Sequence, residues 1–176
     1  MVYGTQGRWE RKGRADMDKA KGESNKKTPR DQALDYLSRR AHTLWEVKKR
    51  LKEKGCTEEE IADCVEFLLE YGYVNDQDYC RRYIEYAMEK GRGSLRIRRE
   101  LAEKGVSGQM IDIALEEMAD DDIQKEQAML QARKALGLSE GESASLGQKE
   151  LAKVGRKLQG LGYKASVIYS VMDRLR

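Results

Sequence analysis

Proline, phenylalanine and histidine each occur once in this 176-residue chain. Strand-forming residues are sparse, and Leu, Glu, Lys, Arg and Ala dominate. That balance suits surface-rich helices better than a sheet protein with a thick core. Cysteine is also scarce. Cys56, Cys64 and Cys80 are spaced by eight and sixteen residues, which matches no zinc or CxxC pattern. An odd count argues against a disulfide framework, so small buried thiols in a reducing cytosol are expected. No apolar run approaches the roughly 18 residues of a membrane span, and the N-terminus lacks the apolar stretch of a secretory signal. The one histidine, His42, precedes a helix cap. It is expected at the surface, and no orienting partner for general-base work is visible. A hydrolase triad, a P-loop and a complete GxGxxG are absent. GRGS at 91–94 supplies only two glycines and follows a helix rather than a strand. The chain is not expected to be an enzyme, and no cofactor or metal is expected.

Charge is plentiful but uneven. The formal net charge is +3, yet residues 1–30 carry nine Lys/Arg against four Asp/Glu. Residues 1–29 have no apolar periodicity and read as a disordered basic tail ending at Pro29, with Trp9 its single large apolar side chain. Beyond it the apolar period is helical. ALDYLSRRA places Leu34 and Leu37 on one face. Thr43 and Glu46 have the spacing of a capping box, and Leu44, Val47 and Leu51 continue as a stripe. Gly55 stands where a left-handed residue stops a helix. Thr57 and Glu60 form a second box, Ile61, Val65, Leu68 and Leu69 an apolar face, and Tyr71-Gly72 an end.

This pattern returns. Shifted by 50, Val47, Leu51, Gly55 and Ile61 fall on Ile97, Leu101, Gly105 and Ile111. Shifted by 107, they fall on Val154, Leu158, Gly162 and Ile168. Each column is apolar or is the helix-ending glycine, so the chain reads as three units. The predicted divisions are 1–29 for the tail, 30–74 and 75–119 for the first two units, and 120–176 for the third. The third unit carries a polar loop at 137–147 between its first two helices. A unit of this size buries too little apolar surface to stand alone comfortably, so neighbours must pack. The expected fold is all-α: three tandem three-helix repeats in an elongated, curved array.

ALDYLSRRAHTLWEVKKRLKEKGC, GYVNDQDYCRRYI and GRGSLRIRRELAEKGVSGQMIDIAL resemble the RecX family, bacterial regulators of the RecA recombinase. The shared positions run from Ala33 to Arg40, through Thr43, Glu46-Val47 and Lys54-Gly55, to Gly72, Asn75-Asp76 and Tyr79-Cys80. They continue with Lys90-Gly91, Gly93, Ile97, Glu100-Leu101 and Lys104-Gly105. The likeness covers residues 31–118 well, 124–175 more loosely, and the tail not at all. Thr43 replaces the usual Ser and can still cap, and Ser94 stands where many relatives carry Pro. The resemblance implies a cytoplasmic, monomeric regulator, without membrane association, that binds the RecA–single-stranded DNA filament. Such a regulator blocks filament extension, ATP hydrolysis, strand exchange and the co-protease activity behind the SOS response, in recombination and DNA repair. A helix-turn-helix-like DNA-binding module and an α-helical scaffold are the alternatives.

Arg81, Arg82, Lys90, Arg92, Arg96, Arg98 and Arg99 form the densest basic region of the folded part. They are the candidate contacts to phosphate or to an acidic protein surface. The competing reading is a solvated face with local partners such as Glu89 and Glu100. Tyr79, Tyr83 and Tyr86 recur at i, i+4, i+7 and are expected in the core rather than stacked on bases. Asp112, Glu116, Glu117 and Asp120 to Asp122 read as a solvated linker.

Overall fold

The computed structural model describes residues 27–139 and 146–176. The expected disordered tail, with Trp9, lies outside the described residues except at its last positions, where Thr28 caps a helix and Pro29 begins it. Thr28 accepts from the Asp31 amide, the Asp31 carboxylate accepts from the Thr28 amide, and Pro29 opens helix α1 (Pro29–Leu37). Proline suits the first helical position because the amide it lacks would have had no intrahelical partner. Asp in place of Glu at the third position hid this box in the sequence.

Among the described residues eight more helices follow: α2 (Leu44–Glu53), α3 (Glu58–Glu70), α4 (Asp76–Glu89), α5 (Ser94–Glu103), α6 (Gly108–Met118), α7 (Asp121–Leu136), α8 (Gln148–Leu161) and α9 (Ala165–Arg174). No strand occurs among the described residues, and no described helix is long and apolar enough to cross a membrane. Both boxes read in the sequence are closed: Thr43 with Glu46, and Thr57 with Glu60. Gly55, Gly105 and Gly162 have φ of 82°, 77° and 86°, a conformation in which a Cβ would be strained.

The helices pack in threes, α1–α3, α4–α6 and α7–α9, each around its own core. Val47 and Leu51, Ile97 and Leu101, and Val154 and Leu158 are all fully buried at matching positions. Burying one such leucine contributes on the order of 2 kcal/mol. One expectation fails on α3, where Leu69 is exposed; Cys64, a buried thiol as expected, completes the inward face with Ile61 and Leu68. The helical period turns Leu69 away once Ile61 and Leu68 face inward.

The hydrogen bonds and ion pairs between triads run from first to second and from second to third. At the first junction Thr43 is fully buried, and its hydroxyl donates to the Lys104 carbonyl at 2.6 Å. The Leu44 amide, an orphan donor of the α2 first turn, is met by Asp76 Oδ1 at 2.8 Å. At the second junction Gly93 N–H donates to Leu161 O at 2.8 Å and Leu95 N–H to Gly162 O at 3.0 Å. Gln124 Oε1 accepts from Ser94 N–H at 2.9 Å. Both junctions therefore follow one plan: the N-terminus of one unit's middle helix sits on the glycine stop of the next unit's middle helix.

Candidate nucleic-acid interface

Helices α4 and α5 and the turn between them carry all seven candidate basic residues, and the structure divides them among several faces. Arg92 and Arg96 converge on Glu100, with Arg92 Nη1 at 3.0 Å and Arg96 Nε at 2.9 Å. Tyr83 donates its hydroxyl to the same carboxylate at 2.9 Å and accepts from Arg92 at 3.2 Å. Burial works against the charged form of Glu100. The hydrogen bonds from Arg96 and Tyr83 and the charge of Arg92 outweigh it and hold the carboxyl below its usual range. Burial, with the hydrogen bond to Glu100, pushes the Tyr83 hydroxyl up to about 12, so it remains a donor at neutral pH.

Arg98 points to the other side of α5 and pairs with Asp112. Arg99 lies near Glu103 at 3.9 Å, Arg82 pairs with Asp78 at 3.0 Å, and Arg81 reaches Glu117 on α6 at 2.6 Å. All six arginines thus have a carboxylate neighbour, as the competing reading anticipated; of the two partners it proposed, Glu100 is used and Glu89 pairs with none of them. Lys90 has none among the described residues and lies over the Tyr86 ring, 5.5 Å from its centroid. Exposed pairs such as Arg82–Asp78 contribute little net energy and can be exchanged for a phosphate. The acidic stretch is solvated as expected, but it lies on α6 and the start of α7 and also supplies partners. Asp112 and Glu117 bind arginines, Asp120 caps α7, and Asp121 and Asp122 pair with Lys164 and Lys125.

The tyrosines depart furthest from expectation. The buried face of α4 is Cys80, Ile84 and Ala87, one position on from the tyrosine row. Tyr86 is 48% exposed and Tyr73 50%, while Tyr79 and Tyr83 are half-buried. Two interleaved rows at the same spacing compete for the core. The smaller side chains win because α4 packs closely on α6. Tyr79 and Tyr83 stack with centroids 6.3 Å apart, and Tyr83 and Tyr86 sit at the same distance.

These rings, with Tyr73 and Arg82, line a groove of about 260 Å³ between the first and second triads. Its wall includes His42, which is only 4% exposed rather than at the surface. His42 stacks on Tyr36 at 3.7 Å, and its Nδ1 lies 3.0 Å from Glu46 Oε2, the orienting partner that sequence spacing did not reveal. Glu46 also holds Lys104 of the next unit at 3.2 Å. The result is an aromatic floor with the Arg82–Asp78 pair in its wall and Lys90 and Arg92 against the Tyr86 ring, an arrangement suited to unpaired bases and their phosphates.

Residues 30–68 match the model of the first three-helix domain of RecX, and residues 75–115 that of the second. The regulatory protein RecX of Vibrio vulnificus is 35% identical over 147 residues, covering 82% of this chain and 91% of the relative. That of Bacillus subtilis is 31% identical over 147 residues, covering 82% of this chain and 54% of the longer relative. The crystal structure of RecX from Lactobacillus salivarius superposes with a TM-score of 0.73 at 24% identity. It covers 84% of this chain and 94% of its own, and supports the fold. With two family domains in register and relatives alike over most of its length, the chain belongs to the RecX family of regulatory proteins.

Proposed function

We propose that this protein is a cytoplasmic, monomeric regulator that binds the RecA–single-stranded DNA filament and restrains its extension, ATP hydrolysis, strand exchange and co-protease activity. Family membership supplies the partner. The observation that carries the reading is the groove between the first two triads, where Tyr73, Tyr79, Tyr83 and Tyr86 lie beside Arg82, Lys90 and Arg92. Stacking is sequence-tolerant and phosphate contacts are salt-sensitive, which suits a partner coated along a polynucleotide of any sequence. A helix-turn-helix reading fits less well. The third helix of the first triad opens with Glu58, Glu59 and Glu60, a turn that a phosphate backbone would repel.

The variants that test this are chosen by partner. Arg92 and Arg96 hold Glu100, so reversing them would leave a half-buried carboxylate uncompensated. Arg82 and Lys90 are exposed and can be reversed without that damage. Added to preformed RecA on single-stranded DNA, the native chain is expected to inhibit ATP hydrolysis below one copy per recombinase. Arg82→Glu with Lys90→Glu, and separately Tyr86→Ala, should weaken inhibition while circular dichroism stays native. Full potency in both variants would remove the groove from the mechanism. No inhibition by the native chain at any ratio, with tight binding to one duplex sequence, would favour the helix-turn-helix reading.

A further inference from the structure

The glycine stop of a middle helix is used twice inside this molecule, and a third copy has no cover among the described residues. A Cβ on Gly105 would meet the root of the Trp45 side chain at 2.3 Å, and one on Gly162 would meet Arg96 Cβ at 2.3 Å. Gly55 has nothing within 4 Å among the described residues. The groups that receive the preceding unit recur around it. Lys104 O and Gly162 O accept donors across the two junctions. No donor among the described residues reaches the corresponding Lys54 and Gly55 carbonyls. Gln124, the fourth residue of α7, offers Oε1 to the arriving helix. Gln32 is the fourth residue of α1, and its Oε1 accepts nothing among the described residues.

The charge is also in place. Lys104 is neutralised across the junction by Glu46, whereas Lys54 has no carboxylate partner among the described residues. Lys54 lies in a depression shared with Gln32, Arg39, Arg50 and Cys56; the two carboxylates of that depression are already engaged, Asp35 with Lys27 and Glu60 with the Thr57 amide. At the other end of the array α8 differs from its counterparts in length at the N-terminus. Helix α8 begins six residues before Val154, while α2 and α5 begin three before Val47 and Ile97. The extra turn is Gln148 to Glu150.

The geometry points to the Gly55 end of the array as a docking site for the helix N-terminus of a partner protein. The arriving helix carries a Ser or Thr N-cap, a bulky apolar second residue and a Glu at the third position. Thr43, Leu44, Trp45 and Glu46 are the template. The hydroxyl donates to Lys54 O, the free first-turn amides meet Gln32 Oε1 and Gly55 O, the apolar side chain covers Gly55, and the carboxylate pairs with Lys54. Cations around an exposed helix C-terminus favour an acidic arriving turn. A second copy of this chain does not supply it through Thr43, which is buried in its own junction.

Cys56 reports on the site. It is the most accessible of the three thiols, whereas Cys64 and Cys80 are buried and pushed up by that burial. The probe is a peptide of about 20 residues, long enough to hold a helix, opening with AHTLWE as at 41–46 and continued with Glu and Lys four apart. Titrated into the full chain, it should slow alkylation of Cys56 several-fold. A peptide with Lys in place of the Glu should not. Lys54→Glu, an exposed change that leaves circular dichroism native, should abolish protection by the first peptide and confer protection by the second. Equal rates with and without peptide would overturn the site. So would a Cys56 as slow as the buried thiols before any peptide is added, since residues 1–26 would then cover that end.

Discussion

The Thr43 hydroxyl accepts from Glu46 N–H at 3.1 Å, capping α2, and donates to Lys104 O at 2.6 Å, tying two units together. Glu46 is as heavily used. Burial works against its charged form, but hydrogen bonds from His42, the Thr43 amide and Lys104 hold its carboxyl below the usual range. His42, beside it, is shifted down from its ordinary 6.5. Burial is the main cause, the hydrogen bond to Glu46 opposes it, and the nearby Arg40 and Lys104 charges add to it. Folding therefore favours neutral His42. Its contribution to stability is complete above pH 6.5 and is lost as pH falls through the lower folded-state value. The melting temperature should fall between about pH 7.5 and pH 5.5, a window above the ordinary carboxylate range. In His42→Phe, which keeps the stack on Tyr36, that fall should shrink. Identical pH profiles for the two proteins would show that His42 does not titrate in this junction.

At the level of the element, a helix stop and a docking surface are the same structure. Gly105→Ala and Gly55→Ala place the same strain in a left-handed residue, roughly 1 kcal/mol each. Only the first also drives a methyl into Trp45. Urea unfolding should show Gly105→Ala to be clearly the more damaging, and equal losses would mean that the junction yields at no cost. The stops themselves were legible: Lys54-Gly55 and Lys104-Gly105 are visible as repeated letters, and the capping boxes at Thr43 and Thr57 follow a local rule. The second role of Gly105 was not, because nothing near it in sequence mentions Trp45, sixty residues earlier. The tyrosine row failed for a different reason. Tyr79, Tyr83, Tyr86 and Cys80, Ile84, Ala87 satisfy the same period, and only close packing on α6 decides which is buried. The arginines were found as a group, but their carboxylate partners Glu117 and Asp112 come from α6 and lay beyond any local pattern.

For the whole molecule, three cores joined by two narrow junctions give stability that adds by unit and by interface, so the middle triad, coupled on both sides, should open last. The two junctions differ in kind. The first is made by side chains and includes the ion pair of Glu46 with Lys104 at 3.2 Å. The second is made largely by backbone, through Gly93, Leu95, Leu161 and Gly162, with Tyr163 donating its hydroxyl to Gly91 O at 3.1 Å. Salt screens the first and leaves the second nearly untouched. Native-state hydrogen exchange should therefore find the α5 amides slowest. Raising salt should speed exchange at Leu44, whose amide is held by Asp76 across the first junction, far more than at Gly93 and Leu95. The groove proposed to meet the filament straddles the first junction, between His42 and the tyrosines of α4. Opening there would alter the spacing of its two walls while leaving the second and third triads as one piece. Exchange that rises equally at both junctions would instead describe a rod that loosens as a whole, with no privileged hinge beside the groove.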